Sequence, residues 1–506
     1  MFLLNVKAMI VVLVTAFIMF ALLKPMFLRF MQPDDFDRRR ILWLVQAAAG
    51  FLSPNIWIYL LVAVPMLIWA ASRDSNPIAL WLFTVFVVPP VNIGIPLPLI
   101  NNFFAISQER MLGLFLLFPL AVQYVRTSTT PRTGTLKAMD AFMLAYVAYQ
   151  VALALPYDSL TGNMRRIFTL LLDNFLVYFA FSRAITDRRR MVDVMAGLCL
   201  AAVVMAPLAI LESVRGWLLY TGIADMWGSV NEFAWLFRGE SLRSQLSTGH
   251  SITMGYVMAT ALAFWLYLRH DAKGARLSWT VVPLLCAAIL VSYSRGDWVM
   301  AAMLPILTFS LAPRRSGVGF KTLIVATLVA VGLYASPLGS RIVDLLPFIG
   351  SGDQGTIDYR QALAETSWQL IKQNPVFGNP FAYLQMENLR QGQGIIDIVN
   401  TYAGIAVFQG LVGLSLYAGF YFSSVGGAYR RMREARYESD DLASIGAALV
   451  GCMVATLVFL ATVPGAWFTW PLAGILAAFS GIFEQAPAPV PSRYEDRRFT
   501  AGYARG

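Results

Sequence analysis

The sequence predicts an all-α protein that crosses a membrane many times, and three observations carry that reading. Hydrophobic residues fill 58% of the 506 positions while charged residues fill 13%, against roughly 25% charge in a water-soluble domain. Mean hydropathy is +0.62. Apolar runs long enough to cross a hydrocarbon core, about 17–25 residues, recur along almost the whole chain. In lipid a spanning segment must satisfy its own backbone hydrogen bonds, so each run is read as a helix.

The runs lie near residues 8–23, 57–72, 77–95, 109–125, 138–155, 165–183, 191–213, 251–268, 278–293, 297–312, 320–336, 402–423, 443–461 and 466–483. They give an expectation of roughly 12 to 14 spans, with the stretch 41–56 ambiguous. That stretch is either an interfacial helix or one arm of a short hairpin turned at Ser53-Pro54-Asn55. The first run, Ala8 to Leu23, has no small-residue cleavage site after it and is read as a retained anchor.

Charge fixes the orientation. Arg126, Arg132 and Lys137 fall in one connection, Arg183 with Arg188, Arg189 and Arg190 in another, and Arg269, Lys273 and Arg276 in a third. Arg314, Arg315 and Lys321 make a fourth, and Arg430, Arg431, Arg433 and Arg436 a fifth. Successive connections are two spans apart, so they share a side, and the positive-inside rule makes that side cytoplasmic. Arg493, Arg497 and Arg498 put the C-terminal tail there too, whereas Arg38, Arg39 and Arg40 would force residue 1 outward. The net charge of +10 is thus a membrane signal. No basic patch with interleaved aromatics stands on a soluble domain, which excludes nucleic acid as a partner. Cys199, Cys286 and Cys452 lie inside apolar stretches and form neither a disulfide framework nor a metal knuckle.

This topology divides the chain into an N-terminal bundle at 1–213 and a central region at 214–336, which opens with an outer loop at 214–250. A large outer loop at 337–401, C-terminal spans at 402–483 and a disordered cytoplasmic tail at 484–506 follow. The large loop contains a helix. Asp358 and Gln361 are spaced as a capping box, Tyr359, Ala362, Leu363, Thr366 and Leu370 share one face, and Asn374-Pro375 ends it. A folded loop of this length is usually functional.

Outer-face arginines are disfavoured by topology and so stand out. Arg295, in Ser292-Tyr293-Ser294-Arg295-Gly296-Asp297, sits in a short outer turn, where it can grip a phosphate or simply pair with Asp297. Arg360, placed in the first turn of the loop helix, opposes the helix dipole unless an anion binds beside it. Pairing with Asp353 or Asp358 is the alternative. Arg243 leads into the span at 251–268, and His250 stands at that span's mouth as a base, a donor or a helix-start residue. The tight acidic cluster Asp34-Asp35-Phe36-Asp37 adjoins Arg38, so no metal site is expected. Nucleotide and nucleophile-elbow motifs are absent.

Three stretches together resemble the bacterial O-antigen ligase and O-antigen polymerase family of multi-pass glycosyltransferases. They are Arg243 through Gly255, with Gly249-His250 between; Ser294-Arg295-Gly296; and the loop series Arg360, Trp368, Pro375-Val376-Phe377-Gly378, Asn400-Thr401-Tyr402 and Gly410-Leu411-Val412-Gly413. The resemblance covers 243–425. It implies a GT-C-like helical membrane architecture with a folded periplasmic loop, in the bacterial inner membrane, its active face periplasmic. It also implies transfer of a glycan from undecaprenyl diphosphate to a hydroxyl, with no metal and no cofactor. Arg243, Arg295 and Arg360 would meet the diphosphate charge, and His250, Asn400 and Tyr402 would bind substrate. In one respect the chain departs from the family: Val399 stands where many members carry a histidine. The base is then sought among Asp397 first, His250 and Glu387. The partners implied are the lipid-linked oligosaccharide, the bilayer, and chain-length or export proteins of polysaccharide synthesis.

Loss of that histidine favours a polymerase of repeat units for exopolysaccharide, capsule or O-antigen over a ligase acting on another acceptor. A non-catalytic flippase or exporter is the reading from another class. A transporter more often has two related halves and unpaired ionisable groups at mid-membrane depth. Here the halves are unlike, and Asp173 and Asp193 are the main carboxylates within apolar runs.

Overall fold

The structure is a computed structural model that describes residues 2–97, 100–127, 134–156, 159–185, 187–228, 235–272, 275, 277–313, 354–390, 396–465 and 469–485. About three quarters of it is helical, with little strand, as expected. The first half contains α1 (Phe2–Phe27), α2 (Pro33–Leu52), α3 (Ile56–Ala71), α4 (Pro77–Thr84), α5 (Gln108–Leu112), α6 (Phe118–Thr127) and α7 (Gly134–Ala154). Then come α8 (Leu160–Thr169), α9 (Leu176–Ala184), α10 (Arg188–Arg215), α11 (Thr221–Met226) and α12 (Ser251–Leu268). The remainder comprises α13 (Val281–Leu290), α14 (Arg295–Leu311), α15 (Gln354–Gln373), α16 (Thr401–Ala435), α17 (Asp440–Leu460) and α18 (Thr469–Gln485). Among the described residues seven helices are long and apolar enough to span a membrane, the segment Leu160–Ala184 counting as one. The expected span at 320–336 lies outside the described residues, as do Arg132, Lys273, Arg276, Arg314, Arg315, Lys321 and residues 486–506.

The apolar run 77–95 is not one span. Helix α4 stops after eight residues. Pro89 and Pro90, which cannot donate to a helix and restrict the residue before them, lead instead into an antiparallel ribbon, β1 (Ile93–Leu97) on β2 (Ile100–Ile106). The buried strip 78–88 packs into the bundle all the same. Two π-helical turns, Gly113–Leu117 between α5 and α6 and Leu170–Phe175 between α8 and α9, sit where sequence periodicity reads through unbroken. At Ser53–Asn55 the chain turns between α2 and α3, with Asn55 capping the second helix, so 41–56 is the hairpin arm.

One end of the bundle gathers the basic connections. Arg188 pairs with Asp441 at 2.6 Å, Arg430 reaches Thr135, and Arg436 donates to the Leu311 carbonyl. Arg39 belongs to the same end: fully buried, it bridges Asp74 at 2.8 Å and Asp193 at 2.7 Å. The opposite end of α1 carries Asn5, which meets Met226 of α11. The first turn of α1 therefore lies with the segment after α10, across the bundle from Arg39. Asp193 and Asp173, the carboxylates inside apolar runs, are both held by arginine, Asp173 by Arg110 at 2.7 Å.

Candidate functional site

The site is built where the segment after α10 folds over the turn between α13 and α14. Its organiser is Glu212, buried near the end of α10. One carboxylate oxygen accepts from Leu219 N–H, and the other from Ser244 Oγ and the N–H groups of Gln245 and Leu246, each at 2.8 Å. Pinned this way, the chain passes Leu246 with a positive φ of 48°, which a leucine rarely adopts. Upstream, a short ribbon of Phe237–Arg238 on Ser241–Leu242 presents two arginines. Arg243 donates to the Ser292 carbonyl at 3.1 Å and Arg238 to the Tyr293 carbonyl at 3.3 Å. Tyr293 also carries a positive φ of 48°, so the turn holding Arg295 is strained and gripped from outside by two guanidinium groups.

Arg295 opens α14, half-buried, and its Nε has no hydrogen-bond partner among the described residues. Two residues on, Asp297 is fully buried beside the motif residue Gly255 on α12. Any side chain at 255 would strike the Asp297 carboxylate, so this glycine is required by close approach. Arg360 completes the group from α15. Burial lowers the Arg238 pKa, and the charges of Arg295 and Arg360 lower it further. Arg243 is pushed down to about 10 by burial and then by Arg238, with Asp297 opposing. Arg295 in turn feels Arg360. Arg238, Arg243, Arg295 and Arg360 thus lie within electrostatic reach of one another, with Asp297 acting on Arg243 and Arg360 on Asp397.

His250 caps α12 with Nδ1 accepting the Ile252 N–H at 3.2 Å, so the ring proton is on Nε2. Burial and the nearby Arg243 push its pKa down to about 4, leaving a neutral donor. Asp397 stands beside Arg360: burial raises its pKa and the Arg360 charge pulls it partly back. Its backbone N–H reaches the Tyr359 hydroxyl at 3.4 Å. Glu387 is tied to Arg390, which holds its carboxyl below the ordinary value.

Sequence reasoning misplaced the start of the loop helix. Helix α15 begins at Gln354, so Asp358 is not its cap, and Gln361 pairs forward to Glu365 at 3.0 Å. Arg360 is therefore not among the free amides of the first turn, and the dipole argument does not apply to it. The shared apolar face does form. Leu363 and Leu370 are buried with Ala382, Met386, Leu389 and Ile398 in a small core of this segment. Val399, at the position of the missing histidine, packs against that core. Asn400 caps α16, its Oδ1 accepting from Tyr402 and Ala403 N–H at 3.0 and 3.1 Å. The Tyr402 hydroxyl donates to the Leu457 carbonyl at 2.7 Å.

The paired glycine motifs form a clasp. Helix α16 breaks at Gly410, φ 66° and ψ −170°. Into that break docks Pro375-Val376-Phe377-Gly378: Leu411 N–H donates to the Pro375 carbonyl at 2.8 Å and Val412 N–H to the Val376 carbonyl at 3.1 Å. Asn379 N–H closes onto the Val407 carbonyl, and Tyr149 on α7 donates to the Gln409 carbonyl at 2.6 Å. Arg238 is the residue that sequence reasoning missed. It lies in the same outer segment as Arg243, and the same outer-cation filter selects it.

Among the described residues no three His, Cys, Asp or Glu side chains gather to hold a metal ion. A comparison with curated proteins finds no match. The family model described as O-Antigen ligase matches residues 279–418, a little over a quarter of the chain. The match spans α13, α14, α15 and the first half of α16, and takes in Arg295, Arg360, Asp397, Asn400 and both halves of the clasp. On that match residues 279–418 of this integral membrane protein are similar to the O-antigen ligase family domain.

Proposed function

We propose that this protein is a polymerase of undecaprenyl-diphosphate-linked oligosaccharide repeat units, acting at the periplasmic face of the inner membrane. The observation that carries the reading is the convergence of Arg238, Arg243, Arg295 and Arg360 beside Asp397. Such a cluster is costly without an anion between its members. A diphosphate is that anion, and arginine suits it geometrically. An acceptor sugar hydroxyl would attack the anomeric carbon of the donor glycan. The bond from that carbon to the diphosphate oxygen would break, and undecaprenyl diphosphate would leave with the electron pair. Asp397, with its raised pKa, would take the hydroxyl proton. His250 would donate from Nε2, because Nδ1 is already used. The hydroxyl of Tyr402 and the Oδ1 of Asn400 are engaged within the protein, so Asn400 would offer a sugar its amide nitrogen. Valine at position 399 favours polymerisation over ligation to a different acceptor.

The test is turnover of the purified protein in nanodiscs with undecaprenyl-diphosphate oligosaccharide, followed on lipid and glycan gels. Wild type should build a ladder of longer glycans and release undecaprenyl diphosphate. Arg238→Ala, Arg295→Ala and Asp397→Asn should each slow this by about 100-fold or more, the usual loss on removing one transition-state charge or one base. A ladder undiminished in the arginine variants, or no release of undecaprenyl diphosphate from wild type with native acceptors supplied, would remove the enzyme reading and favour the flippase.

A further inference from the structure

A second polar site lies inside the bundle, separate from the arginine cluster. A cavity of about 300 Å³ opens between α7, α16, α18 and the π-turn Leu170–Phe175. That is the small end of the range for ligand pockets, about 300–1,000 Å³. Glu109 lines it at 5% exposure, and its Oε1 is buried with no hydrogen-bond partner among the described residues. Buried carboxylate oxygens are almost always satisfied, so an orphan facing a cavity is an acceptor open to a water or a ligand hydroxyl. Around it stand Gln150, Asn174 and Gln409, with the phenol rings of Tyr146 and Tyr421. The π-turn Leu170–Phe175 supplies Asp173 and Asn174 to its wall. Such turns recur at functional sites because they re-aim side chains.

The chemistry of the wall selects the occupant. No lysine or arginine lines the cavity among the described residues. The neighbouring Arg110 is committed to Asp173 at 2.7 Å and to the Ala105 carbonyl at 2.7 Å. An anion therefore has nothing to hold it. What the wall offers is carboxylate and amide oxygens to accept from hydroxyls, amide N–H groups to donate to them, and aromatic faces for C–H surfaces. The geometry points to a neutral saccharide-binding subsite, sized for one sugar ring. Naming a sugar rests on the glycan-transfer reading above. The cavity is joined to the arginine site through α16, whose clasp residue Gln409 lies in its wall and whose cap Asn400 lies beside Asp397 in the chain.

Gly474 on α18 gives a clean probe. It lines the cavity, and a Cβ built there meets nothing within 4 Å, so a side chain at this position starts into open space and would occupy the cavity. Wild-type protein in nanodiscs would be mixed with the methyl glycosides of glucose, galactose, mannose and N-acetylglucosamine, and read by saturation-transfer NMR. At least one glycoside should receive transfer at its ring hydrogens. Gly474→Leu should abolish it, Glu109→Gln should weaken binding by about tenfold, as for one lost hydrogen bond, and Arg295→Ala should leave it intact. No transfer from any of the four, or equal transfer in wild type and Gly474→Leu, overturns the subsite. If Gly474→Leu fails to fold by thermal unfolding, Glu109→Gln decides alone. A ladder lost from the enzyme assay with cavity binding kept would sink the polymerase and spare this site; the reverse would remove this site only.

Discussion

His250 can be read in sequence as a base, a donor or a cap, and only its neighbours decide among these. Accepting the Ile252 N–H through Nδ1 commits the lone pair that a base would use, and Arg243 penalises the imidazolium. The pKa falls from an ordinary 6.5 to about 4 in the folded protein. The unfolded chain then binds more protons than the folded one between those values, so stability should fall as pH drops from about 6.5 to 4. His250→Asn keeps the cap but cannot titrate, and should remove a part of that loss on the order of 1–3 kcal/mol. Unfolding temperatures of both proteins across this pH range give the comparison. Parallel curves would mean that His250 is not buried beside Arg243. Val399 teaches the converse lesson. Its sequence meaning was an absence, whereas in the fold it completes the small core beneath Arg360's helix.

Helices and turns explain why the family motifs sit where they do. Pro375-Val376-Phe377-Gly378 and Gly410-Leu411-Val412-Gly413 are separate motifs in sequence, yet they are the two halves of one backbone clasp. This clasp fastens the outer segment carrying Arg360 and Asp397 onto the membrane helix α16. Gly410 occupies φ 66° and ψ −170°, a region essentially closed to other residues, where a side chain costs about 1–3 kcal/mol and would also meet the Val376 carbonyl. Gly410→Ala should therefore destabilise the clasp by roughly 2–4 kcal/mol, the range of strained-backbone substitutions. Amide exchange should quicken across α15 while α17 stays protected, and turnover should drop although no reacting group is touched. Unchanged protection in α15 would show that the clasp does not anchor it. The spacing of these motifs was legible without the structure, but their mutual contact was not: a residue-by-residue hydropathy reading carries no information on which two distant turns exchange hydrogen bonds. The same blindness joined 77–95 into one span, because burial in a bundle and burial in lipid demand the same apolar residues.

At the scale of the whole molecule, charge placement reported more than local pattern did. The basic connections gather at one end through Arg188–Asp441, Arg430–Thr135 and the Arg39 pairs, which is the arrangement that positive-inside counting anticipates. The arginine cluster, assembled from three stretches separated by dozens of residues, was only half legible: topology flagged its members, but Arg238 escaped and convergence needed tertiary structure. Orientation of this frame in the membrane is directly measurable. Trp368 on α15 is 61% exposed, and Tyr437, after α16 at the basic end, is 94% exposed. In a background with Cys199, Cys286 and Cys452 changed to alanine, Trp368→Cys should react with a membrane-impermeant maleimide in spheroplasts and Tyr437→Cys should not. Inverted vesicles should exchange the two results. The same pattern reversed would put the arginine site in the cytoplasm. Glycans there would have to meet the diphosphate before translocation, and a periplasmic polymerase would no longer be tenable.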